Sequence, residues 1–406
     1  MKVLSLFDGC SGGQQALERA GIDVDTYYAS EIDKYAIQVT MANYPNTIQL
    51  GSVVDINALE LPKIDLILGG SPCQSFSFAG KRKGMSTKDE QEILTLEHYL
   101  ELKADGYEFE GQSYLFWEYM RILQELRVKN PNVLFLLENV EMGAKWEKVL
   151  SNAIGVRGIH INSALVSAQN RKRIYWINWG MKPMGLFGDM ESIIEQPKDR
   201  GILLKDILET EVDEKYFLSE KFDNWLNKHS KKTEGNRKAG CLSVSALKSV
   251  NLSADFILDN NQLIVHNTMP RSSTSGKGGT GHLSRNDGKT YCLDTGNTNA
   301  VEIVLTSKDK RLRQTIDENE LTEGEVKALD TYNQSTHYRY PTLKDPKHND
   351  RALFDGSRIR RLTPIECERL QTVADNYTAH ISDSQRYKML GNGWTIEVIS
   401  YLFKHI

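Results

Sequence analysis

The sequence lacks the features that mark a membrane protein or a secreted protein. In its 406 residues no apolar run approaches the roughly 20 residues that a transmembrane helix needs. Residues 1–7 form a short apolar stretch followed by glycines, without the length or the cleavage site of a signal peptide. We therefore expect no membrane partner.

Cysteine is scarce, with five copies that lie far apart in the chain. No pair has the C-x-x-C spacing of a zinc site, and an odd number does not suit a framework of disulfides. We expect no bound metal, and reduced thiols as in the cytoplasm. The five residues are Cys10, Cys73, Cys241, Cys292 and Cys367.

Neither sign of charge dominates, since 50 basic and 54 acidic residues give a formal net charge of −4. This balance excludes little, because a nucleic-acid-binding protein needs only a local basic face. Basic clusters do occur within residues 228–238, 308–313 and 358–361. Each of them can equally be ordinary solvated surface.

The length exceeds that of a typical domain, so the chain is predicted to have two lobes. Residues 1–180 alternate short apolar runs with helical patterns, which is typical of an α/β, Rossmann-like, doubly wound and mostly parallel sheet. Residues 388–406 are expected to complete this domain. Residues 181–387 are expected to form a second, smaller, β-rich lobe, whose variable part covers about 181–355.

Sheets of this kind bind ligands at the carboxyl ends of their strands. Strands are predicted at residues 3–7, 27–30, 66–68 and 133–137. Residues 81–112 form a charged excursion from the sheet, with a helical pattern at 92–103, and we place it near the same edge. The predicted strand ends carry Asp8 and Gly9, Glu31, Cys73, and Glu138.

A glycine turn follows the first strand, where residues 7–13 read F-D-G-C-S-G-G and open a helix. Glycines there let the backbone approach a ligand closely. Glu31 lies 22 residues after Gly9, at a distance from which an acid usually binds ribose hydroxyls. Because the spacing is not G-x-G-x-x-G, a nucleoside cofactor without a pyrophosphate, such as S-adenosylmethionine, is favoured over a nicotinamide nucleotide.

A candidate nucleophile follows the strand at 66–68, in G-G-S-P-C-Q, which ends with Cys73 and Gln74. A lone cysteine is often a small core residue, but its glycine, proline and polar neighbours favour an exposed loop in which a thiolate can act. Glu138 ends another apolar strand. Arg171 and Arg173 alternate along a further predicted strand, on a face that can hold a phosphate or polarise a carbonyl.

Six motifs in this order resemble those of the DNA (cytosine-5)-methyltransferase family, of the prokaryotic or phage type. They are F-D-G-x-x-G-G, S-P-C-Q, E-N-V, Q-x-R-x-R, L-T-P-x-E-C-x-R-L-Q and G-N-G, and they span the chain from Phe7 to Asn392. The poorly matching region lies where that family keeps its variable target-recognition lobe. The resemblance implies the fold of S-adenosylmethionine-dependent methyltransferases and a monomer acting on double-stranded DNA.

The resemblance also implies a role for each matched residue. Cys73 would add to carbon 6 of a flipped-out cytosine, so that carbon 5 accepts the methyl group and S-adenosylhomocysteine is released. Glu138 would contact the ring nitrogen and amino group, while Arg171 and Arg173 would steady the target nucleotide. The cofactor-binding residues would be Phe7, Asp8, Gly9, Gly12, Glu31, Ile32, Asp55, Ile56, Pro72 and Asn392. Thr363, Pro364 and Glu366 would belong to a motif that supports the recognition lobe.

Two positions depart from the family pattern. Ser11 stands where glycine is common, and Trp394 follows Gly393 where many members have small residues. Three alternatives stay open at this point: an RNA cytosine-5 methyltransferase, a non-catalytic DNA-binding relative and a nicotinamide oxidoreductase. The recognition sequence is not readable, although residues of the second lobe are candidate base readers, namely Arg271, Lys277, Arg285 and Asn286.

Overall fold

The computed structural model describes residues 1–72, 85–184, 189–216 and 362–406, together with the backbone of short strands between residues 262 and 361. Cys73 lies outside the described residues, as do residues 81–84 of the excursion. The glycine-rich segment 272–281 and three candidate base readers, Arg271, Lys277 and Asn286, also lie outside them. Only the backbone of Arg285 is described.

The described chain divides into two compact units. Residues 1–209 and 363–406 belong to the first unit, and the strands between 262 and 361 belong to the second. Residues 181–209 and 363–387, which we expected in the second lobe, therefore lie with the first unit. Hydrogen bonds explain this: the Arg369 guanidinium donates to the carbonyl oxygen of Ile207 at 2.9 Å, and the N–H of Glu209 donates to Glu366 at 2.9 Å.

A seven-stranded sheet forms the centre of the first unit. Its strands are β1 (Lys2–Leu6), β2 (Thr26–Ser30), β3 (Ile48–Gln49), β4 (Leu66–Gly70), β5 (Leu134–Val140), β6 (Ile159–Asn162) and β7 (Lys172–Ile177). They lie in the order β3-β2-β1-β4-β5-β7-β6, and all neighbours are parallel except β7, which is antiparallel to β5 and β6. The predicted doubly wound, mostly parallel sheet is confirmed.

The central strands are apolar on both faces, as a sheet covered by helices requires. Leu66, Ile67 and Leu68 of β4 are all fully buried. The helices are α1 (Gly12–Ala20), α2 (Lys34–Asn43), α3 (Leu96–Ala104), α4 (Leu115–Lys129), α5 (Ala144–Ile154), α6 (Pro364–Leu370), α7 (Asp383–Asn392) and α8 (Ile396–Phe403). Short 3-10 helices cover Val53–Asp55, Ser163–Leu165, Leu204–Asp206 and Glu214–Tyr216.

Capping residues set several of these helix ends. Gly21 ends α1 in the left-handed conformation that glycine adopts without strain. Helix α6 begins with a capping box, in which the Thr363 hydroxyl accepts from the N–H of Glu366 and the Glu366 carboxylate accepts from the N–H of Thr363. The T-P-x-E sequence is thus a helix start. Within the described parts of the chain, no helix has the length and apolarity of a membrane span.

The excursion from the sheet contains α3, which begins at Leu96, later than the predicted residue 92, because Thr95 caps it. Glu118 of α4 is fully buried and binds two side chains of α3: the Tyr99 hydroxyl at 2.5 Å and the Lys103 ammonium at 2.6 Å. Arg121 donates to the same carboxylate at 2.8 Å. This buried carboxylate fastens the excursion to the helix that covers β4.

The remaining described strands are antiparallel. In the first unit β8 (Met181–Met184) and β9 (Asp189–Ser192) form a hairpin. In the second unit two sheets are formed by β10 (Gln262–Asn267), β11 (Leu283–Arg285), β12 (Asn299–Val304), β13 (Ala328–Asp330), β14 (Ser335–His337), β15 (Arg351–Ala352) and β16 (Arg360–Arg361). The β-rich character predicted for the second lobe is found in this described part.

We expect Glu118→Gln to lower the free energy of unfolding by about 3 kcal/mol, because it removes the salt bridge of Glu118 with Lys103 and one of the two carboxylate partners of Arg121. Urea denaturation followed by circular dichroism measures the loss. Glu108→Gln, which removes an exposed ion pair with Lys88, is the matched control and should leave stability unchanged. Equal stability of the two variants would contradict the role assigned to Glu118.

Candidate active site

A cavity of about 530 Å³ lies at the carboxyl ends of β1, β2, β4 and β5. Its size suits a small ligand, and its place is the one expected for a parallel sheet. Eleven of the predicted site residues line it: Phe7, Asp8, Gly9, Gly12, Glu31, Ile32, Pro72, Glu138, Arg171, Arg173 and Asn392.

The glycine turn after β1 alternates left-handed residues with ordinary ones. Phe7 has φ 56°, Gly9 has φ 59° and Ser11 has φ 57°. For a residue with a side chain this conformation costs about 1–2 kcal/mol, so glycine would adopt it at position 11 with less strain than serine. Ser11 offsets part of the strain because its hydroxyl donates to the Asp8 carboxylate at 2.7 Å.

The Asp8 carboxyl is turned into the protein, although its residue borders the cavity. It accepts hydrogen bonds from the Tyr27 hydroxyl at 2.8 Å and from Ser11. Burial raises its pKa from 3.8 to about 6, against the lowering effect of these hydrogen bonds. Asp8 therefore stabilises the turn through hydrogen bonds on the side away from the cavity.

Glu31 joins the turn to the end of β2. One of its oxygens accepts from the N–H of Gly9 at 2.8 Å, and the other accepts from the N–H groups of Ile32 and Asp33 at 2.7 and 2.8 Å. The first oxygen thus keeps a lone pair for a further donor. The side chain of Ile32, which is 72% exposed, lies beside it on the cavity wall.

Asp55 and Ile56, two of the predicted cofactor-binding residues, do not line the cavity. Asp55 is exposed, and Ile56 is buried in the core. The 3-10 helix Val53–Asp55 turns the chain, so that the cavity meets it at Ser52, Val53 and Val54 instead.

Glu138 lies near the end of β5, and both of its carboxylate oxygens are engaged. The Arg173 guanidinium Nε lies 3.0 Å from Oε1, and the Trp394 indole N–H donates to Oε2 at 3.2 Å. The side chains of Glu138 and Arg173 are only 11% and 13% exposed. Arg173 pairs with Val140 across the β5–β7 ladder, and Val140 lies two residues after Glu138. Because side chains alternate along a strand, Arg173 and Glu138 lie on the same face of the sheet.

The residues just before Cys73 are fixed by hydrogen bonds from the neighbouring strand β5. Asn139 is buried, and its amide donates to the carbonyl and the hydroxyl oxygens of Ser71 at 3.2 and 3.0 Å. A Cβ on Gly69 would meet the Tyr119 ring at 2.8 Å, so close packing requires glycine there. The described chain therefore reaches Pro72 at the cavity wall in a fixed position.

Arg171 lines the cavity and also binds the backbone around Asn392. It is 3% exposed and donates to the carbonyl oxygens of Gly391 and Gly393 at 3.2 and 2.8 Å. Arg171 precedes β7, which begins at Lys172, whereas Arg173 lies within it. Of the two arginines, only Arg173 has a described contact with Glu138.

A buried glutamine supports the same turn. The Gln371 amide donates to the carbonyl oxygen of Leu390 at 2.6 Å, and its oxygen accepts from the Thr395 hydroxyl at 2.9 Å and from Gln169 at 3.2 Å. Gln371 and Gln169 are both fully buried. Gln371 is the last residue of the L-T-P-x-E-C-x-R-L-Q motif. A glutamine that follows a helical pattern does not by itself predict these buried hydrogen bonds.

Two further groups of lining residues were missing from the prediction. Gln112 is the last residue of the excursion, and Tyr114 and Leu115 follow it at the start of α4, so the excursion ends at this edge of the sheet. Helix α7 contributes Gln385, Lys388 and Met389. Lys388 and Met389 lie on the same helix as the predicted Asn392, whereas only the packing of the chain brings Gln112, Tyr114 and Leu115 to the cavity.

The cysteines that the structure describes are poor nucleophiles. Cys10 and Cys367 are buried. Burial, with a smaller effect of the nearby Asp8, raises the pKa of the Cys10 thiol from 9.0 to about 12. Because the reactive form of cysteine is the thiolate, Cys10 stays inert although it borders the cavity. Within the described residues no group of acidic, histidine or cysteine side chains could hold a metal ion.

The family model of the C-5 cytosine-specific DNA methylases matches residues 1–406. The chain belongs to this family. Among curated proteins it is 28% identical to the orphan methyltransferase M.SPRI of Bacillus phage SPR, over 100% of this chain and 97% of that protein. It is also 28% identical to the type II methyltransferase M1.ScrFI of Lactococcus lactis subsp. cremoris, over 67% of this chain and 66% of that protein.

Solved structures agree on the fold of this DNA methylase. A DNMT2 mutant of Spodoptera frugiperda matches with a TM-score of 0.53 at 19% identity, covering 99% of this chain and 98% of that chain. The Dnmt2 methyltransferase of S. pombe matches with a TM-score of 0.52 at 14% identity, covering 99% and 96%. Family membership confirms the predicted DNA (cytosine-5)-methyltransferase activity, in preference to the RNA alternative.

The raised pKa of Asp8 predicts a change of stability with pH. Between pH 3.8 and about 6 the folded methylase binds a proton that the unfolded chain has released. Its free energy of unfolding should therefore fall as the pH rises through this window, by up to about 3 kcal/mol from this group. Asp8→Asn, which cannot ionise, should lack this contribution.

Urea denaturation of both proteins at pH values from about 4 to 7, without cofactor, measures the difference. Asp23→Asn, at an exposed position, is the control and should follow the wild type. Parallel curves for the wild type and Asp8→Asn would show that Asp8 ionises normally.

Proposed function

We propose that this DNA methylase uses S-adenosylmethionine to methylate carbon 5 of a cytosine flipped out of duplex DNA, with Cys73 as the nucleophile. One observation carries the proposal: Glu138, the end of β4 that leads to Cys73, and the glycine turn with Glu31 line one cavity. A cytosine atom inside a duplex is out of reach of such a cavity, so the base must leave the stack. The cytoplasm, where thiols stay reduced, is the proposed location.

The described side of the cavity fits S-adenosylmethionine. Glu31 keeps an acceptor for a ribose hydroxyl, and the exposed face of Ile32 can cover an adenine ring. Each described cation of the lining already has a protein partner: Arg171 has backbone carbonyls, Arg173 has Glu138, and Lys388 has Asp33. The lining thus favours a cofactor without phosphates. We propose that Phe7, Gly9, Gly12, Pro72 and Asn392 complete the pocket, with Ser52 and Val53 in place of Asp55 and Ile56.

Glu31→Ala should weaken the binding of S-adenosylhomocysteine by about tenfold or more, because it removes the ribose acceptor and leaves three backbone N–H groups unpaired. Isothermal titration calorimetry measures the dissociation constant. Glu18→Ala is the control, since Glu18 binds the Tyr44 hydroxyl and does not line the cavity. Unchanged affinity in Glu31→Ala would remove Glu31 from the cofactor site.

The proposed chemistry begins with covalent addition, because carbon 5 of cytosine is a poor nucleophile. The Cys73 thiolate forms a bond to carbon 6, and the electron pair of the ring moves toward N3, where a protonated Glu138 supplies a proton. Carbon 5 then has enamine character. When bound, S-adenosylmethionine supplies an electrophilic methyl group on a sulfonium.

The product forms by elimination. A base takes the proton from carbon 5, the double bond between carbons 5 and 6 is restored, and the thiolate of Cys73 leaves carbon 6. N3 returns its proton to the carboxylate of Glu138, which regenerates the starting state of that residue. Arg173 holds the carboxyl of Glu138 throughout, since it lies 3.0 Å from Oε1. Arg171 supports the wall that carries Asn392, through the carbonyl oxygens on both sides of it.

Cys73→Ser should lose methyl transfer almost completely but should still bind S-adenosylhomocysteine, because Cys73 is not assigned to the cofactor. The assay uses labelled cofactor with duplex DNA and, in a second arm, RNA. Cys367→Ser is the control and should keep activity, since its thiol is buried and does not line the cavity. Activity near the wild-type level in Cys73→Ser would overturn the assignment.

Bisulfite sequencing of DNA from cells that express the protein would identify the methylated base and its sequence context together. We expect the cytosine of one short recognition sequence to be protected from conversion, and cytosines elsewhere to be converted. Methyl transfer to RNA alone, with no protected cytosine in DNA, would contradict the proposed substrate.

A further inference from the structure

Trp394 lines the cavity where the glycine turn after β1 comes close to Glu138. Its indole N–H donates to Oε2 of Glu138 at 3.2 Å. Its ring also lies close to both glycine segments: a Cβ built on Gly70 would meet the indole nitrogen at 2.8 Å, and one on Gly12 would meet ring carbon Cε3 at 3.7 Å. One side chain therefore touches the cofactor turn, the end of β4 and the carboxyl of Glu138.

The contact with Gly70 shows how tightly this position is built. Gly70 is the register partner of Glu138 in the β4–β5 ladder, and a Cβ on Gly70 would also lie 3.2 Å from Oε2 of Glu138. Any larger residue at position 70 would push the indole away from the carboxyl. Glycine at 70 and tryptophan at 394 are thus complementary in volume.

The indole also has a fixed backbone. Gly393, directly before Trp394, has its carbonyl oxygen bound by Arg171 at 2.8 Å, and Thr395, directly after it, is bound to Gln371 and to the Ser163 hydroxyl at 2.9 and 2.8 Å. Both Gln371 and Thr395 are almost fully buried. A side chain anchored on both sides can direct a hydrogen bond with little loss of entropy.

We infer that Trp394 is a positioning residue, which holds the Glu138 carboxyl in the direction required by the target cytosine. The inference rests on the proposed role of Glu138. Arg173 lies at Oε1 and Trp394 at Oε2, so rotation of the carboxyl would break both contacts. The indole is a donor without charge, and it fixes the second oxygen without adding another cation beside Arg173.

Trp394→Phe keeps the ring and removes the donor, so it tests the inference directly. We expect kcat to fall by about tenfold, while the KM for DNA and the dissociation constant of S-adenosylhomocysteine change by less than about threefold. Trp179→Phe is the matched control, because its indole N–H donates at 3.0 Å to the carbonyl of Leu402, away from the cavity, and its kcat should be unchanged.

A second measurement needs no activity. In protein labelled with ¹⁵N-tryptophan, the indole signal that disappears in Trp394→Phe should shift in Glu138→Ala, while that of Trp179 stays in place. An unchanged kcat in Trp394→Phe, or loss of cofactor affinity with unchanged kcat, would overturn the positioning role. So would an indole signal of Trp394 that does not respond to Glu138→Ala.

The two proposals fail separately. If the wild type transfers methyl groups and Cys73→Ser does not, an active Trp394→Phe disproves only the role of Trp394. If Cys73→Ser keeps full activity, the proposed nucleophile is wrong, and the response of the indole signal still decides whether Trp394 holds Glu138.

Discussion

The hydrogen bonds that Arg171 and Gln371 donate to the carbonyl oxygens of Leu390, Gly391 and Gly393 join two distant parts of the chain. The arginine precedes the antiparallel strand of the sheet, and the carbonyls belong to the last turn of α7 and to Gly393, which follows it. Backbone carbonyls buried in this way must be paired, because an unsatisfied one costs about 1–3 kcal/mol. The pairing places Asn392 and Trp394 on the cavity wall, and the rest of the site depends on that wall.

The site then forms from strand ends that are already close. The parallel strands bring the glycine turn, Glu31 and Ser71 to one edge, and β5 adds Glu138. The antiparallel β7 adds Arg173 to the same carboxylate. Buried carboxylates need partners. One partner of Glu138 is Arg173 of β7, and the other is Trp394, which lies between α7 and α8.

Backbone strain and a buried carboxyl occur together at the glycine turn. Phe7 and Ser11 adopt left-handed backbone conformations that usually belong to glycine, and Asp8 is buried with a raised pKa. Such features persist only where surrounding contacts hold them, and they cluster at functional sites. Here the hydroxyls of Tyr27 and Ser11 donate hydrogen bonds to the Asp8 carboxylate, and these bonds stabilise the turn.

The sequence by itself determined the alternating strands and helices at the start of the first unit, the family, and eleven residues of the cavity lining. It could do so because strand ends and glycine turns are local features, and parallel strands gather their ends at one edge. Only the tertiary structure decided that Arg171 binds the backbone around Asn392, that Ser52 and Val53 line the cavity while Asp55 and Ile56 do not, and that Trp394 reaches Glu138. These contacts join residues far apart in the chain or depend on one 3-10 turn, and such pairings follow from packing rather than from local pattern.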